Sequence, residues 1–250
     1  MSIGILAYNE QGRIGPMLRA LFDQTLLKNP RADLELLEVV CVPNGCKDAT
    51  ASEARSVLEE RGGAMPSGRI TWKVSELARA DKCNAWNHFV HSASDQSADY
   101  VFLLDADIWF EQAECLARVL DTLIASPVAN LCVDTPLKSI ARTGGKGAME
   151  RASVSLSEVR QAGPLTVAGS LYCARGEFIR RLWLPEGLLG DDGFVRAMLL
   201  TDCFSSPERM ERIVRAPDSA HFFVASSGIS QTFRHSKRLA VGTAMNAILF

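Results

Sequence analysis

The sequence predicts an α/β protein with a mostly parallel open sheet flanked by helices. Three observations carry this. Short, predominantly apolar runs recur along the chain, segments with apolar residues at three- and four-residue spacing separate them, and loops rich in Asn, Asp and Gly follow them.

The first run, Ile3 to Ala7, has the length of a buried strand, and Ile14, Met17, Leu18, Leu21 and Phe22 then fall on one face of a helix. Leu37 to Val42 is the second run. It leads into Asn44-Gly45, a turn signal, with Asp48 or Thr50 placed to cap a second helix. Ile70 to Val74 is the third run, and the stretch from Asp81 to Asn87 opens the next helix. Tyr100 to Leu104 is the fourth; Leu116, Val119, Leu120, Leu123 and Ile124 are spaced as a helix face before a fifth run, Ala129 to Val133. Ligands on sheets of this kind bind beyond the carboxyl ends of the strands.

At 250 residues the chain is expected to be one domain. A net charge of -2 gives no general attraction for nucleic acid or an acidic membrane, so an anionic ligand must be held locally. The seven cysteines include no C-x-x-C pair and read as reduced residues of a cytoplasmic protein. The opening residues run into a strand-like stretch without a basic n-region, and no apolar stretch reaches the length of a membrane span, so the chain is expected to be neither secreted nor membrane-spanning.

The fourth run ends in Asp105-Ala106-Asp107. Two carboxylates one residue apart suit a divalent cation with oxygen ligands, or else the start of a turn or helix. Late in the chain, Asp191 and Asp192 follow a Gly-rich turn and precede an amphipathic helix, which they are placed to cap.

Taken in order, Ala7-Tyr8-Asn9-Glu10, the loop Asn44 to Thr50, Lys82 with Ala85 and Asn87, and Asp105-Ala106-Asp107 resemble the motifs of the family-2 glycosyltransferases. The resemblance runs over roughly residues 3 to 200. It implies a GT-A-like, Rossmann-like fold, with a nucleotide-sugar donor half to about residue 134 and an acceptor half from about residue 135, and an inverting transfer of a sugar from a nucleoside diphosphate-sugar, UDP first, to an acceptor hydroxyl. The acceptor is a carbohydrate, a lipid-linked molecule or a small molecule. The cofactor implied is a divalent metal, Mn²⁺ or Mg²⁺, held by Asp107, with Asp105 reaching it through water or taking ribose hydroxyls. Lys82 would face the diphosphate, Glu10 the ribose, and Asn44 a uracil ring N–H. The sequence departs from the family at Pro43 and Asn44, where acidic residues are usual, and at Asp81 in place of glycine. The Asp191-Asp192 pair looks like the family's Glu-Asp motif, which gives Asp192 the role of catalytic base.

His221 stands where several enzymes of this fold supply a further metal ligand, although a lone histidine in an apolar run is as often a core residue. The stretch from Gln231 to His235 is similar to the Q-x-x-R-W motif of processive relatives but lacks the tryptophan. Residues 139–157 are polar and basic and read either as a lid or as a connection. Trp109, Phe178 and Trp183 offer aromatic faces to a sugar, or core packing. The apolar stretch 239–250 reads first as docking on the domain or on a second subunit, and second as shallow membrane attachment. Two other classes compete: a phosphohydrolase of the haloacid-dehalogenase type with Asp105 as nucleophile, and a non-catalytic nucleotide-sugar-binding protein.

Overall fold

Ser2–Ala7 forms β1, and all six of its residues are buried because apolar cores lie on both faces of the strand. That double burial is why the run is continuously apolar rather than alternating. In the computed structural model, residues 1–65, 69–138 and 167–223 are described. The chain continues through α1 (Ile14–Phe22), the short α2 (Thr25–Lys28), β2 (Leu37–Pro43), α3 (Thr50–Gly62) and β3 (Ile70–Val74). Next come α4 (Lys82–His88), a single π turn (Phe89–Ala93), β4 (Tyr100–Asp105), β5 (Ile108–Phe110) and α5 (Cys115–Ile124). The remainder is β6 (Leu131–Lys138), β7 (Leu171–Arg175), α6 (Gly176–Ile179), α7 (Asp191–Leu200), a 3-10 turn (Met210–Arg212) and β8 (Ile213–Phe223).

Among the described residues the strands form one sheet in the order β3-β2-β1-β4-β7-β6-β8-β5. The pairs β3–β2, β2–β1 and β1–β4 are parallel, as expected. Beyond β4 antiparallel pairs join the parallel ones. β7 lies between β4 and β6 and is antiparallel to both, while β8 is parallel to β6 and antiparallel to β5. The sheet is therefore mixed. Its register brings Ala7 opposite Pro43 and Leu6 opposite Asp105, so the loops after β1, β2 and β4 open at the same edge.

Helix α1 buries the predicted face, Ile14, Met17, Leu18, Leu21 and Phe22, and α5 buries Leu116, Val119, Leu120 and Leu123 in the same core. On the opposite face, Trp86 of α4, Phe89 and Val90 of the π turn, and Phe194, Val195, Leu199 and Leu200 of α7 form a second core. Each fully buried large side chain in these cores contributes about 1.5–3 kcal/mol. The predicted fifth strand begins later than read, at Leu131. Among the described residues no helix is long and apolar enough to cross a membrane. The segments 139–157, 231–235 and 239–250 lie wholly or mostly outside the described residues.

Candidate active site

The loop after β1 is tied to the loop after β2 by polar contacts. Asn9 takes a left-handed conformation (φ 54°), its Oδ1 accepts the Lys47 N–H at 2.8 Å, and its own N–H points to Cys46 Sγ at 3.3 Å. Asn9 thus braces the loops and does not line the cleft beside them, which corrects its expected role in ligand contact. The Glu10 N–H donates to Thr50 Oγ1 at 2.7 Å, and Asp48 accepts the Thr50 N–H at 3.1 Å at the start of α3.

Asn44 is buried, with its Nδ2 donating to the Ala7 carbonyl at 2.7 Å and its Oδ1 accepting the Asp81 N–H at 3.2 Å. Its amide is a strut between β1, β2 and the entrance of α4, so the expected uracil contact through this oxygen is displaced by an internal one. Asp81 in turn caps α4, its Oδ1 accepting from the Cys83 and Asn84 N–H groups and its Oδ2 from the Gly187 N–H at 3.0 Å. A carboxylate at this position satisfies N–H groups that a helix start leaves without partners.

These loops enclose a cleft of about 630 Å³, lined by Leu6, Ala7, Tyr8, Glu10, Asn44, Arg79, Asp81, Lys82, Asp105, Ala106, Asp107 and the stretch from Gly187 to Leu189. Every predicted donor-side residue except Asn9 faces it. Arg79 and the stretch from Gly187 to Leu189 were not anticipated; the signal available was only that Arg79 lies three residues before Lys82. Arg79 pairs with Glu186 at 2.5 Å, linking the loop before α4 to the loop before α7 across the cleft.

Burial raises the Asp107 carboxyl above the usual range, and the neighbouring Asp105 adds to it. Glu10 is raised likewise by burial, against the Arg13 hydrogen bond at 3.1 Å. Lys82 lies between the two halves of the site, its Nζ 3.1 Å from Asp105 and 3.5 Å from Asp191. Burial alone would lower its ammonium, but Asp105, Asp191 and Asp192 together hold it well above the ordinary lysine value. It is a fixed cation under three carboxylates.

Asp191 and Asp192 form the first turn of α7, behind Gly190 at φ 95°, a left-handed position that glycine adopts without strain. They line a second, smaller cavity with Lys82, Trp86, Gly169 and Tyr172. Burial, then repulsion from Asp191, pushes the Asp192 carboxyl up to about 7, while Lys82 and the Gly169 N–H act in the other direction. Burial also pushes the Tyr172 phenol up, so it stays protonated.

His221, read as a further metal ligand or a core residue, is 0% exposed, with its Nδ1 2.8 Å from Asp134 and its Nε2 2.8 Å from Ser170 Oγ. These contacts hold the ring inside the fold. Of the aromatic candidates, Phe178 is core, and Trp183 is 63% exposed but stacked on His91 with ring centroids 4.7 Å apart.

The profile described as "Glycosyl transferase family 2" matches residues 2–183. No curated protein matches the chain. The mannosyltransferase PcManGT from Pyrobaculum calidifontis, solved in complex with GDP-Man and Mn²⁺, is 20% identical with a TM-score of 0.69, over 100% of this chain and 64% of that one. This chain therefore spans a little under two thirds of that protein. Glucosyl-3-phosphoglycerate synthase from Mycobacterium tuberculosis, in complex with Mn²⁺, UDP and phosphoglyceric acid, is 15% identical with a TM-score of 0.60, over 98% of this chain and 77% of that one. The same enzyme with Mg²⁺ and UDP gives 16% and 0.59, over 98% of this chain and 78% of that one. At such identities the likeness is one of fold.

Proposed function

Because the chain belongs to glycosyl transferase family 2, we propose that its cleft binds a nucleoside diphosphate-sugar and transfers the sugar, with inversion, to an acceptor hydroxyl. The observation that carries this reading is Lys82, which joins Asp105 at the end of β4 to Asp191 at the start of α7. That one cation links a carboxylate pair suited to the donor with a carboxylate pair suited to the acceptor.

In this reading the two pairs divide the work. Asp192, its carboxyl held up to about 7, takes the acceptor proton as the hydroxyl oxygen attacks the anomeric carbon and the bond to the diphosphate oxygen breaks. A base of that strength works near neutral pH. Lys82, paired with Asp105 and beside Asp191, presents positive charge toward the leaving side. Ala7, Tyr8, Glu10 and Ala106 wall the nucleoside end, and the family assignment displaces the phosphohydrolase alternative.

The relatives named above were solved with Mn²⁺ or Mg²⁺, and the residues here fit such an ion. Asp107 is a partly buried carboxylate whose charge Asp105 opposes, so a cation beside it would relieve both. No group of three or more ligating side chains converges among the described residues. A hard cation would then take Asp107 from the protein and its remaining oxygens from the diphosphate and water, as Mg²⁺ commonly does. When bound it supplies Lewis-acid stabilisation of the leaving diphosphate.

The test is a thermal-shift panel of UDP-, GDP- and dTDP-sugars with and without Mn²⁺, on the wild type and on Asp107→Ala. Ligand at 100 times its dissociation constant adds about 2.7 kcal/mol, a rise of roughly 5–10 °C for this size. The expected result is a metal-dependent rise with one nucleotide, UDP first, that Asp107→Ala loses. No rise anywhere in the panel would remove the donor-binding reading.

A further inference from the structure

Tyr172 is a buried hydroxyl with one hydrogen bond among the described residues, and its direction is fixed by chemistry. The partner is the Trp86 indole, 2.7 Å away, and an indole N–H only donates. The phenol oxygen is therefore the acceptor, and its own proton must go elsewhere. Buried donors are almost always matched. The space beside that hydroxyl is the small cavity of about 10 Å³ bounded by Lys82, Gly169, Asp191 and Asp192. Lys82 only donates, and no carboxylate among the described residues lies within direct hydrogen-bond reach of the phenol, so the Tyr172 proton needs a bridging acceptor between it and the carboxylates.

The cavity has the size and the lining for a single bound molecule. About 10–15 Å³ is one water, which needs two to four polar partners, and the lining offers a phenol donor, an ammonium donor and carboxylate acceptors. On its far side Asp192 is seated against the turn before β7. A Cβ at Gly169 would fall 1.8 Å from Asp192 Oδ1, and the Gly169 N–H donates to the Asp192 carboxylate. Only glycine leaves room for the carboxylate there.

We propose that this cavity holds one ordered water, and that Tyr172, fixed by the Trp86 indole, positions the Asp192 carboxylate through that water against the Gly169 N–H. The function of this seat rests on the reading of Asp192 as the base; its existence does not. Tyr172 and Trp86 are then positioning residues that never touch a substrate, and Gly169 is the wall that sets where the base can sit. The charged groups facing Asp192 are Lys82 from α4, Asp105 from β4 and Asp191 from its own helix.

Two measurements on the full chain test this, neither needing a known donor. The first is a high-resolution crystal structure of wild type and Tyr172→Phe; the second is the titration of Asp192 by carbon NMR on aspartate-labelled protein, assigned with Asp192→Asn. Tyr172→Phe keeps the ring and its volume, so the fold is expected to survive. The wild type should show a water between Tyr172 Oη and Asp192 that the variant lacks. Loss of a donor to the ionised form should raise the Asp192 midpoint by about one unit. Trp86→Phe should move it the same way by less, and a change of packing alone would not reproduce that order. An empty cavity, or a midpoint unmoved in Tyr172→Phe, overturns the seat. Full sugar transfer by Asp192→Asn would instead sink the base reading and leave the seat standing.

Discussion

Burial and the neighbouring Asp191 push the Asp192 carboxyl up to about 7. Its folded value lies above the unfolded one of 3.8, so the protonated form favours the folded state. That contribution is complete below about pH 4 and is lost as pH rises through about 7. Asp192→Asn is therefore expected to melt close to wild type at pH 4 and several degrees above it at pH 8, as differential scanning calorimetry would show. Equal melting at both values would mean the carboxylate is solvated. The same variant should keep its affinity for the donor and lose transfer by about 10²–10⁴-fold. At this scale the sequence was legible in which residues share a cleft. Tyr8, Glu10, Lys82, Asp105 and Asp107 all face one cleft. It named the partners of amides and rings poorly: Asn9, Asn44 and His221 carry the right groups, but internal hydrogen bonds engage them, and one-dimensional order does not reveal which donor a fold will bring within 3 Å.

The element that organises the site is α4. Its start is capped by Asp81, and from its second turn Asn87 reaches the backbone of Leu184, giving a bond at 2.8 Å to the carbonyl and taking one at 2.9 Å from the N–H. This paired grip holds the approach to α7, and so the Asp191-Asp192 pair, against the donor half. Asn87→Ala leaves two buried backbone groups without partners, a cost of about 2–4 kcal/mol. Urea unfolding should show a lower midpoint with an unchanged slope, and transfer should fall more than nucleotide affinity; a midpoint within error of wild type would remove the clamp. Helices α1 and α5 were legible because their buried faces repeat at the helical period. β8 was legible only in its last third. Pro217 and Asp218 interrupt it, and Asp218 stands at φ 51°, where the pairing with β6 slips from Arg215 to Ala220. Such a break looks like a loop when only alternation is counted. β7 was missed outright, since its five residues follow a long polar stretch and carry no turn signal of the hairpin kind.

At the scale of the molecule, two apolar cores clamp the sheet, and the cleft opens along the edge where β1, β2 and β4 end. The order of the strands in space departs from their order in the chain most at β8, which is made last of the eight yet sits between β6 and β5. A ribosome has thus finished the cleft loops and both aspartate pairs before the strand that closes the sheet exists. Until then β6 and β5 each present a row of unpaired N–H and C=O groups, the kind of edge that recruits strands from other chains. A chain stopped at Arg212 should accordingly elute from size exclusion as aggregate while the full chain does not, and supplying residues 213–223 as a peptide should restore solubility; a soluble, monomeric truncation would refute this. The late strand makes the nascent chain a client for chaperones during the interval between synthesis of the site and synthesis of its last support.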